Sequence, residues 1–350
     1  MLIAGGAGFV GTNLAARLLE RGVRVRVLDS LSRPGVETNL RWLEANHGER
    51  LEAAICDVRD ESAVRSAMRD VEHVYHLAAQ VAVTSSLSDP RHDFAINAAG
   101  TLNVLEAARA CVRPPSIMFA STNKVYGALQ GVRVRPYRQR YVPVDVRIAA
   151  RGLDERSPLE FHSPYGCSKG AAEQYVLDYA RSFGLRTVVL RMSCIYGPHQ
   201  HGNEDQGWVA HFLRRALDGQ QVTLYGTGMQ VRDVLYVEDF VTALEAVASR
   251  ANELSGEVFN IGGGVRNTVS LLELVALIER LTGLSIETRY DDWRTGDQRY
   301  YVSNVEKIAR ATGWRPHTPV EKGVAALYHW LRGEQRTTWV AAARPQELRP

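Results

Sequence analysis

The chain has 350 residues and a mass of 38.9 kDa, enough for about two domains and for burial of roughly three quarters of its unfolded surface. Hydrophobic residues make up 45% and charged residues 23%, which excludes a disordered, collagen-like or coiled-coil chain. A net charge of +3 and a pI near 8.7 call for neither nucleic acid nor a membrane surface as partner.

Residues 1 to about 120 alternate short apolar runs with helical segments. The runs cover 1–4, 24–28, 51–55, 73–77 and 116–120, each bounded by polar or glycine-rich turns, as buried parallel strands are. Between them Leu14, Leu18 and Leu19, and the stretch 97–110, carry helical periodicity. This alternation predicts βαβ units and an α/β doubly wound parallel sheet, a Rossmann-type fold. The rhythm resumes with a helix at 163–183 and a strand at 187–191. After Gly197 the chain becomes more aromatic, glycine-rich and charged, with helices expected at 208–217 and 270–281 and strands at 222–225 and 286–290. The expected division is a cofactor domain over 1–196 with returns near 231–261, a smaller interleaved substrate domain over 197–332, and a C-terminal tail over 333–350.

The first chemical motif is Gly5-Gly6-Ala7-Gly8-Phe9-Val10-Gly11, with glycines at i, i+3 and i+6 after the first strand. Such a turn lets backbone approach a pyrophosphate and rests its charge on the following helix N-terminus. Asp29 ends the second strand, 18 residues after Gly11. A carboxylate there accepts from a ribose 2′-hydroxyl and repels a 2′-phosphate, so NAD is expected rather than NADP. Ser30 and Arg33 follow it, the arginine arguing in part against that preference. Asp57 and Val58, after the third strand, are placed to meet the adenine, although a turn aspartate also fits.

Only four of the 42 basic side chains are lysine: Lys124, Lys169, Lys307 and Lys322. Two of them fall in motifs. Ser121-Thr122-Asn123-Lys124 follows the fifth strand, whose C-terminal end faces the ligand crevice of an open sheet. Thr122 supplies a hydroxyl there. Tyr165 and Lys169 stand at i and i+4 of a helix and so share a face, where an ammonium lowers the phenol's pKa toward neutrality. A phenolate so formed is a general base for a sugar hydroxyl.

Cys56, Cys111, Cys167 and Cys194 are scattered with no CxxC spacing, which predicts neither disulfides nor zinc and fits a reducing compartment. His199 and His201 form an HxH pair, but no further ligand recurs at metal spacing, so no metal is expected. The chain opens on Met1-Leu2-Ile3-Ala4 without a basic leader, and no apolar run approaches about 18 residues. A soluble cytoplasmic protein is the expectation.

GGAGFVG, HLAAQVAV, STNKVYG, the YGCSK helix, RMSCIYGPHQ and GTGMQVRDVLYVED together resemble the extended short-chain dehydrogenase/reductase family of nucleotide-sugar epimerases and dehydratases, from residue 1 to about 332. The resemblance implies Tyr165 as base, Lys169 as its partner and Thr122 as the third catalytic residue, with NAD bound and used catalytically. It implies that Leu77, Ala78, Gln80 and Asn97 line or orient the pocket. Arg232 and Arg299 match the family's arginines for a nucleotide diphosphate, which suits planar bidentate donors. STNKVYG, the stretch from 154 to 185 and DQGWV at 205–209 are most similar to the branch that epimerises CDP-sugars at C2, implying substrate contacts from Gln80, Thr122, Asn123, Lys124 and Gln206. The implied partner is a nucleotide-diphosphate sugar, a CDP-sugar favoured, and the implied assembly is a homodimer through helices near 97–110 and 163–183.

Two departures matter. Many members carry asparagine in RYFNVYG where this chain has Cys194, so that contact is not inherited. The 4,6-dehydratases need an acid beside the threonine, and Asn123 and Lys124 supply none, which favours epimerisation over elimination. A 4-epimerase is the enzymatic alternative; a non-enzymatic NAD(H)-sensing module is disfavoured because Tyr165 and Lys169 are both intact. The 38 residues between Tyr126 and Tyr165 read as a loop over the active site, basic through Arg133, Arg135, Arg138, Arg140, Arg147 and Arg151.

Overall fold

The computed structural model describes residues 1–342. Strand β1 (Leu2–Ala4) leads through the glycine turn into α1 (Phe9–Glu20), then β2 (Val25–Asp29), α2 (Val36–His47) and β3 (Leu51–Ile55). The chain continues through α3 (Glu61–Ala67), β4 (His73–His76), α4 (Val83–Ser88), α5 (Pro90–Phe94) and α6 (Gly100–Arg109) to β5 (Ser116–Thr122). A hairpin, β6 (Val134–Tyr137) and β7 (Arg140–Pro143), and the short α7 (Val146–Arg151) precede the long α8 (Ser163–Phe183), β8 (Thr187–Met192) and β9 (Cys194–Tyr196). Beyond lie α9 (Trp208–Leu217), β10 (Val222–Tyr225), β11 (Val231–Tyr236), α10 (Val237–Ala248) and β12 (Glu257–Ile261). The described chain ends with β13 (Thr268–Ser270), α11 (Leu271–Thr282), β14 (Thr288–Asp291), β15 (Tyr300–Tyr301), α12 (Glu306–Thr312) and α13 (Val320–Ala342).

Seven strands form one parallel sheet in the order β12-β8-β5-β4-β1-β2-β3. The fold is α/β and doubly wound. Every residue of β5, Ser-Ile-Met-Phe-Ala-Ser-Thr, is buried, because helices cover both faces of a parallel sheet. One apolar cluster, around Ile3, Val27, Met118, Leu190 and Phe240, fills one face, and a second, around Leu2, Val74, Phe119, Val176 and Val189, fills the other. Smaller sheets pair β10 with β14, and β11 with β9, β13 and β15. Their own core gathers Phe212, Leu224, Leu274 and Leu327.

Three expectations need correction. β5 extends past Ala120, since Ser121 and Thr122 stay in register with Arg191 and Met192 of β8; Thr122 is therefore a strand end held by β8, beyond the reach of β4. The segment between Tyr126 and Tyr165 does not cover the site. Its hairpin and α7 turn Val132, Val134 and Ile148 onto Val231, Tyr300 and Val302, and Arg140 binds Glu273 and Thr268, so the arm is anchored away from the cavity. Finally, α13 runs on to Ala342, through much of the stretch read as a tail; the remaining residues of that stretch lie outside the described residues. Among the described residues no helix is long and apolar enough to cross a membrane.

Candidate active site

The strand order reverses between β4 and β2 at β1, and the carboxyl ends of the strands there open into a cavity of about 730 Å³, the crevice in which doubly wound sheets bind ligands. Gly5, Gly8, Phe9, Val10 and Gly11 form one wall. Gly5 has φ +81°, and a Cβ on it would lie 2.6 Å from the Ala78 amide nitrogen. A Cβ on Gly11 would collide with the Gly5 carbonyl oxygen. α1 starts at Gly8 without a side-chain cap, so its first amides remain open to an anion.

Asp29, Ser30, Arg33, Asp57 and Val58 line the same end. Asp29 accepts from the amides of Ala7 and Leu31, each at 3.0 Å, which ties β2 to the glycine turn; burial raises its pKa. Asp57 is paired with Arg59 at 2.7 Å, and that hydrogen bond holds its carboxyl below the ordinary value. Arg33 reaches across to Gln206 Oε1 at 2.9 Å.

At the centre Leu77, Ala78, Thr122, Asn123 and Tyr165 line the cavity. Burial pushes the Tyr165 hydroxyl up to about 12, opposed by a hydrogen bond with Thr122 and the charge of Arg33. The expected lowering by Lys169 is not what the structure shows. Lys169 shares the helix face but is 2% exposed, does not line the cavity, and sets its ammonium 4.1 Å from the Phe119 ring centroid. Burial lowers its own pKa to about 7, with Glu173 and Asp93 opposing. The protein therefore binds fewer protons at Lys169 than the unfolded chain does between about pH 7 and the ordinary lysine value of 10.5, and stability should rise with pH across that window. Urea midpoints measured from pH 7 to 10 on the NAD-free protein should show this rise, and Lys169→Met should flatten it; an unchanged slope in the variant would refute the assignment.

Three further expectations are also relocated. Gln80 folds back on its own turn, donating to the Ala82 carbonyl at 2.8 Å. Asn97 is buried and holds the backbone of Gln80 through both its amide N–H and its carbonyl; it shapes the turn beside the cavity without lining it. Arg299 is exposed and lies over the rings of Tyr141 and Trp293. A different arginine of that segment, Arg294, lines the cavity and sits 3.8 Å from the Tyr225 ring centroid.

The far end holds a charge cluster in which Lys124 and Arg232, both expected from the sequence, meet Asp297, which was not. Asp297 Oδ1 accepts from Arg232 at 2.5 Å and lies 3.8 Å from Lys124 Nζ, which donates to the Gly296 carbonyl at 3.2 Å. Despite burial, Arg232 and Lys124 hold the Asp297 carboxyl below its ordinary value, whereas burial lowers Lys124. Cys194 also lines this end and accepts from Trp208 Nε1 at 3.4 Å; burial raises its thiol. Thr84, Gln200 and Gln230 line the cavity, and each has a buried side-chain oxygen with no partner among the described residues. Such atoms suit a ligand rich in hydroxyl and amide donors.

Beneath the site, Glu173 of α8 and Arg191 of β8 form an ion pair at 2.5 Å, 0% and 5% exposed. Glu173 also accepts from Ser121, while Arg191 donates to the Tyr126 hydroxyl, itself bonded to Asn260 of β12. This network locks the helix carrying Tyr165 to three strands. Among the described residues no group of three or more His, Cys, Asp or Glu is placed to hold a metal.

The model of the NAD dependent epimerase/dehydratase family matches residues 1–262. CDP-paratose 2-epimerase of Salmonella typhi is 42% identical over 337 residues, covering 94% of this chain and 98% of that protein. Among solved structures, the UDP-glucose 4-epimerase of Thermus thermophilus in complex with NAD is 33% identical, with a TM-score of 0.78 over 95% of this chain and 98% of that one. A dTDP-glucose 4,6-dehydratase from Streptomyces venezuelae with NAD bound is 28% identical, with a TM-score of 0.82 over 96% and 98% of the two chains.

Proposed function

From the premise that the chain belongs to the NAD dependent epimerase/dehydratase family, we propose that it inverts C2 of a CDP-sugar, converting CDP-paratose to CDP-tyvelose or a close analogue. NAD is the cofactor, and the glycine turn, the open α1 N-terminus and Asp29 fit its pyrophosphate and ribose. The observation that carries the C2 reading is the near full-length likeness to CDP-paratose 2-epimerase.

Bound NAD supplies the acceptor of the sugar's hydride and later its donor. Tyr165 takes the hydroxyl proton as the C–O bond becomes a carbonyl and returns it when the alcohol re-forms. Thr122, hydrogen-bonded to Tyr165, orients that hydroxyl and the sugar oxygen. A planar carbonyl at C2 can be reduced from either face once the sugar has turned. Lys169, buried behind the tyrosine with its ammonium against the Phe119 ring, packs beneath the helix face that presents Tyr165.

Elimination requires an acid that can give up a proton. Asp297, the carboxylate paired with Lys124, is held ionised between Arg232 and Lys124, so it serves as an acceptor, which supports epimerisation. Arg232 and Lys124 leave this cluster net positive, suited to a diphosphate, and Gln206 and Asn123 complete our assignment of substrate contacts. In the proposed division, residues 1–196 with the returns near 231–261 hold NAD and residues 197–332 hold mainly the nucleotide sugar. Exposed Phe94, just before the helical stretch 97–110, and exposed Tyr175 and Phe183 on α8 support a homodimer through the helices near 97–110 and 163–183, and the four free cysteines support a cytoplasmic setting.

The test is incubation of the purified protein with CDP-, GDP- and UDP-sugars, with the inverted carbon located by NMR. Inversion at C2 of a CDP-sugar is expected. Inversion only at C4, as in a 4-epimerase, or loss of water would overturn the proposal.

A further inference from the structure

The cavity has two walls that come from distant parts of the chain. The glycine turn forms one; the segment from Gly197 to Gly207, between β9 and α9, contributes Gln200, Gln206 and Gly207 to the other. Four contacts fasten this segment to the elements that build the first wall. Asn13 of α1 donates to the Pro198 carbonyl at 2.9 Å. Gly35, at the start of α2, lies so close to His201 that a Cβ would stand 2.5 Å from its ring. Arg33 donates to Gln206. The fourth contact is the most buried: Asn39 of α2 is 2% exposed.

All three hydrogen-bonding positions of Asn39 that face these walls are used. Its Nδ2 donates to the Ala7 carbonyl, inside the glycine turn, and to the His199 carbonyl, each at 3.1 Å. Its Oδ1 stands 3.2 Å from His201 Nε2. Burial lowers the pKa of both histidines, so His201 is neutral near pH 7 and bonds Asn39 as an Nε2–H donor. One amide thus joins both walls of the dinucleotide cleft. The segment is further gripped by rings, His199 lying 4.4 Å from Trp42 of α2 and 5.3 Å from Trp330 of α13 between centroids.

We propose that residues 197–207 are a strap closed across the cofactor and that Asn39 is its latch, a positioning residue that sets how long NAD stays bound. The inference rests on the proposed function only in taking the bound dinucleotide to be NAD. An enzyme that removes hydride in one half-reaction and returns it in the next gains nothing from fast cofactor exchange: release of the reduced form between the two steps strands a keto sugar. The strap answers that need without touching the reacting atoms. Removing Asn39 leaves the His199 carbonyl without its donor and the Ala7 carbonyl with the Thr12 hydroxyl alone, and cuts the most buried of the four links between the walls while sparing Thr122 and Tyr165.

The experiment measures release of bound NAD from the purified holoenzyme into an excess of an NAD-consuming dehydrogenase trap, at a temperature below the melting point of every variant. Asn39→Ala is expected to release NAD about tenfold faster than the parent, in line with the loss of a buried hydrogen-bonded group. Asn13→Ala, which loses the Pro198 contact from a half-buried position, should accelerate release in the same direction and decides the matter if Asn39→Ala does not fold. Activity lost on dilution should return when free NAD is added, with the circular dichroism unchanged across the dilution, whereas a merely destabilised fold would lose its signal before NAD restored it. Release as slow as the parent's in the folded variants overturns the strap. The readout is the dinucleotide and not the sugar, so a C4 or elimination outcome in the sugar assay leaves this test untouched.

Discussion

Replacing Tyr165 by phenylalanine is expected to cut epimerisation by about a hundredfold to ten-thousandfold, the usual range for loss of a positioned general base, while NAD remains bound. The ring is buried and phenylalanine keeps its packing, so the change removes one hydroxyl, its bond with Thr122 and its place beside the sugar. Two neighbouring groups are poor substitutes: Asp297 is tied to two cations, and the Cys194 thiol is raised by burial and bonded to Trp208. The measurement is turnover by NMR beside the NAD released on denaturation. An undiminished rate would remove Tyr165 from the mechanism, and loss of NAD along with activity would assign it to cofactor binding instead.

The largest effect on stability is expected at the Glu173–Arg191 pair. Glu173→Ala leaves the guanidinium of Arg191, 5% exposed at its side chain, without its counter-charge, a change that typically costs about 3–5 kcal/mol. It also removes the acceptor of the Ser121 hydroxyl. The double variant Glu173→Leu with Arg191→Met should recover most of the loss, since apolar groups of similar size can replace a buried pair at little cost. Urea unfolding of parent, single and double variants provides the check. A single-variant loss under about 1 kcal/mol would mean that water reaches the pair, and the lock between α8 and the sheet would have to be reassigned.

How much of this was legible in the sequence varies with the range of the interaction. The strands around the cofactor were legible because each is a short, doubly buried apolar run ending at a turn, and the glycine turn because its spacing is local. The helix carrying Tyr165 and Lys169 was placed from periodicity, and its span agrees with α8. Spacing could not tell which way the flexible four-carbon chain of Lys169 bends, and it bends onto Phe119. Asp297 was missed because its partners, Lys124 and Arg232, come from β5's end and from β11, far away in sequence. Arg191 gave a local signal, a charge inside the apolar run Thr187 to Met192, which by itself asks for a buried carboxylate. The arm from 133 to 151 misled because its arginines dominate the composition, while the smaller residues Val132, Val134 and Ile148 decide where it packs.

The seven-stranded sheet carries a temporal consequence. β12 is its outermost strand next to β8, yet it is made last, after the whole of β10 and β11. While the ribosome is still delivering those residues, β8 has no neighbour on that side, and its backbone amides and carbonyls, on an almost entirely buried strand, stand open to any other extended chain. A chain that assembled its sheet as it was made would pass the interval between residues 192 and 257 with that border uncovered, where rapid completion or a shielding chaperone protects it.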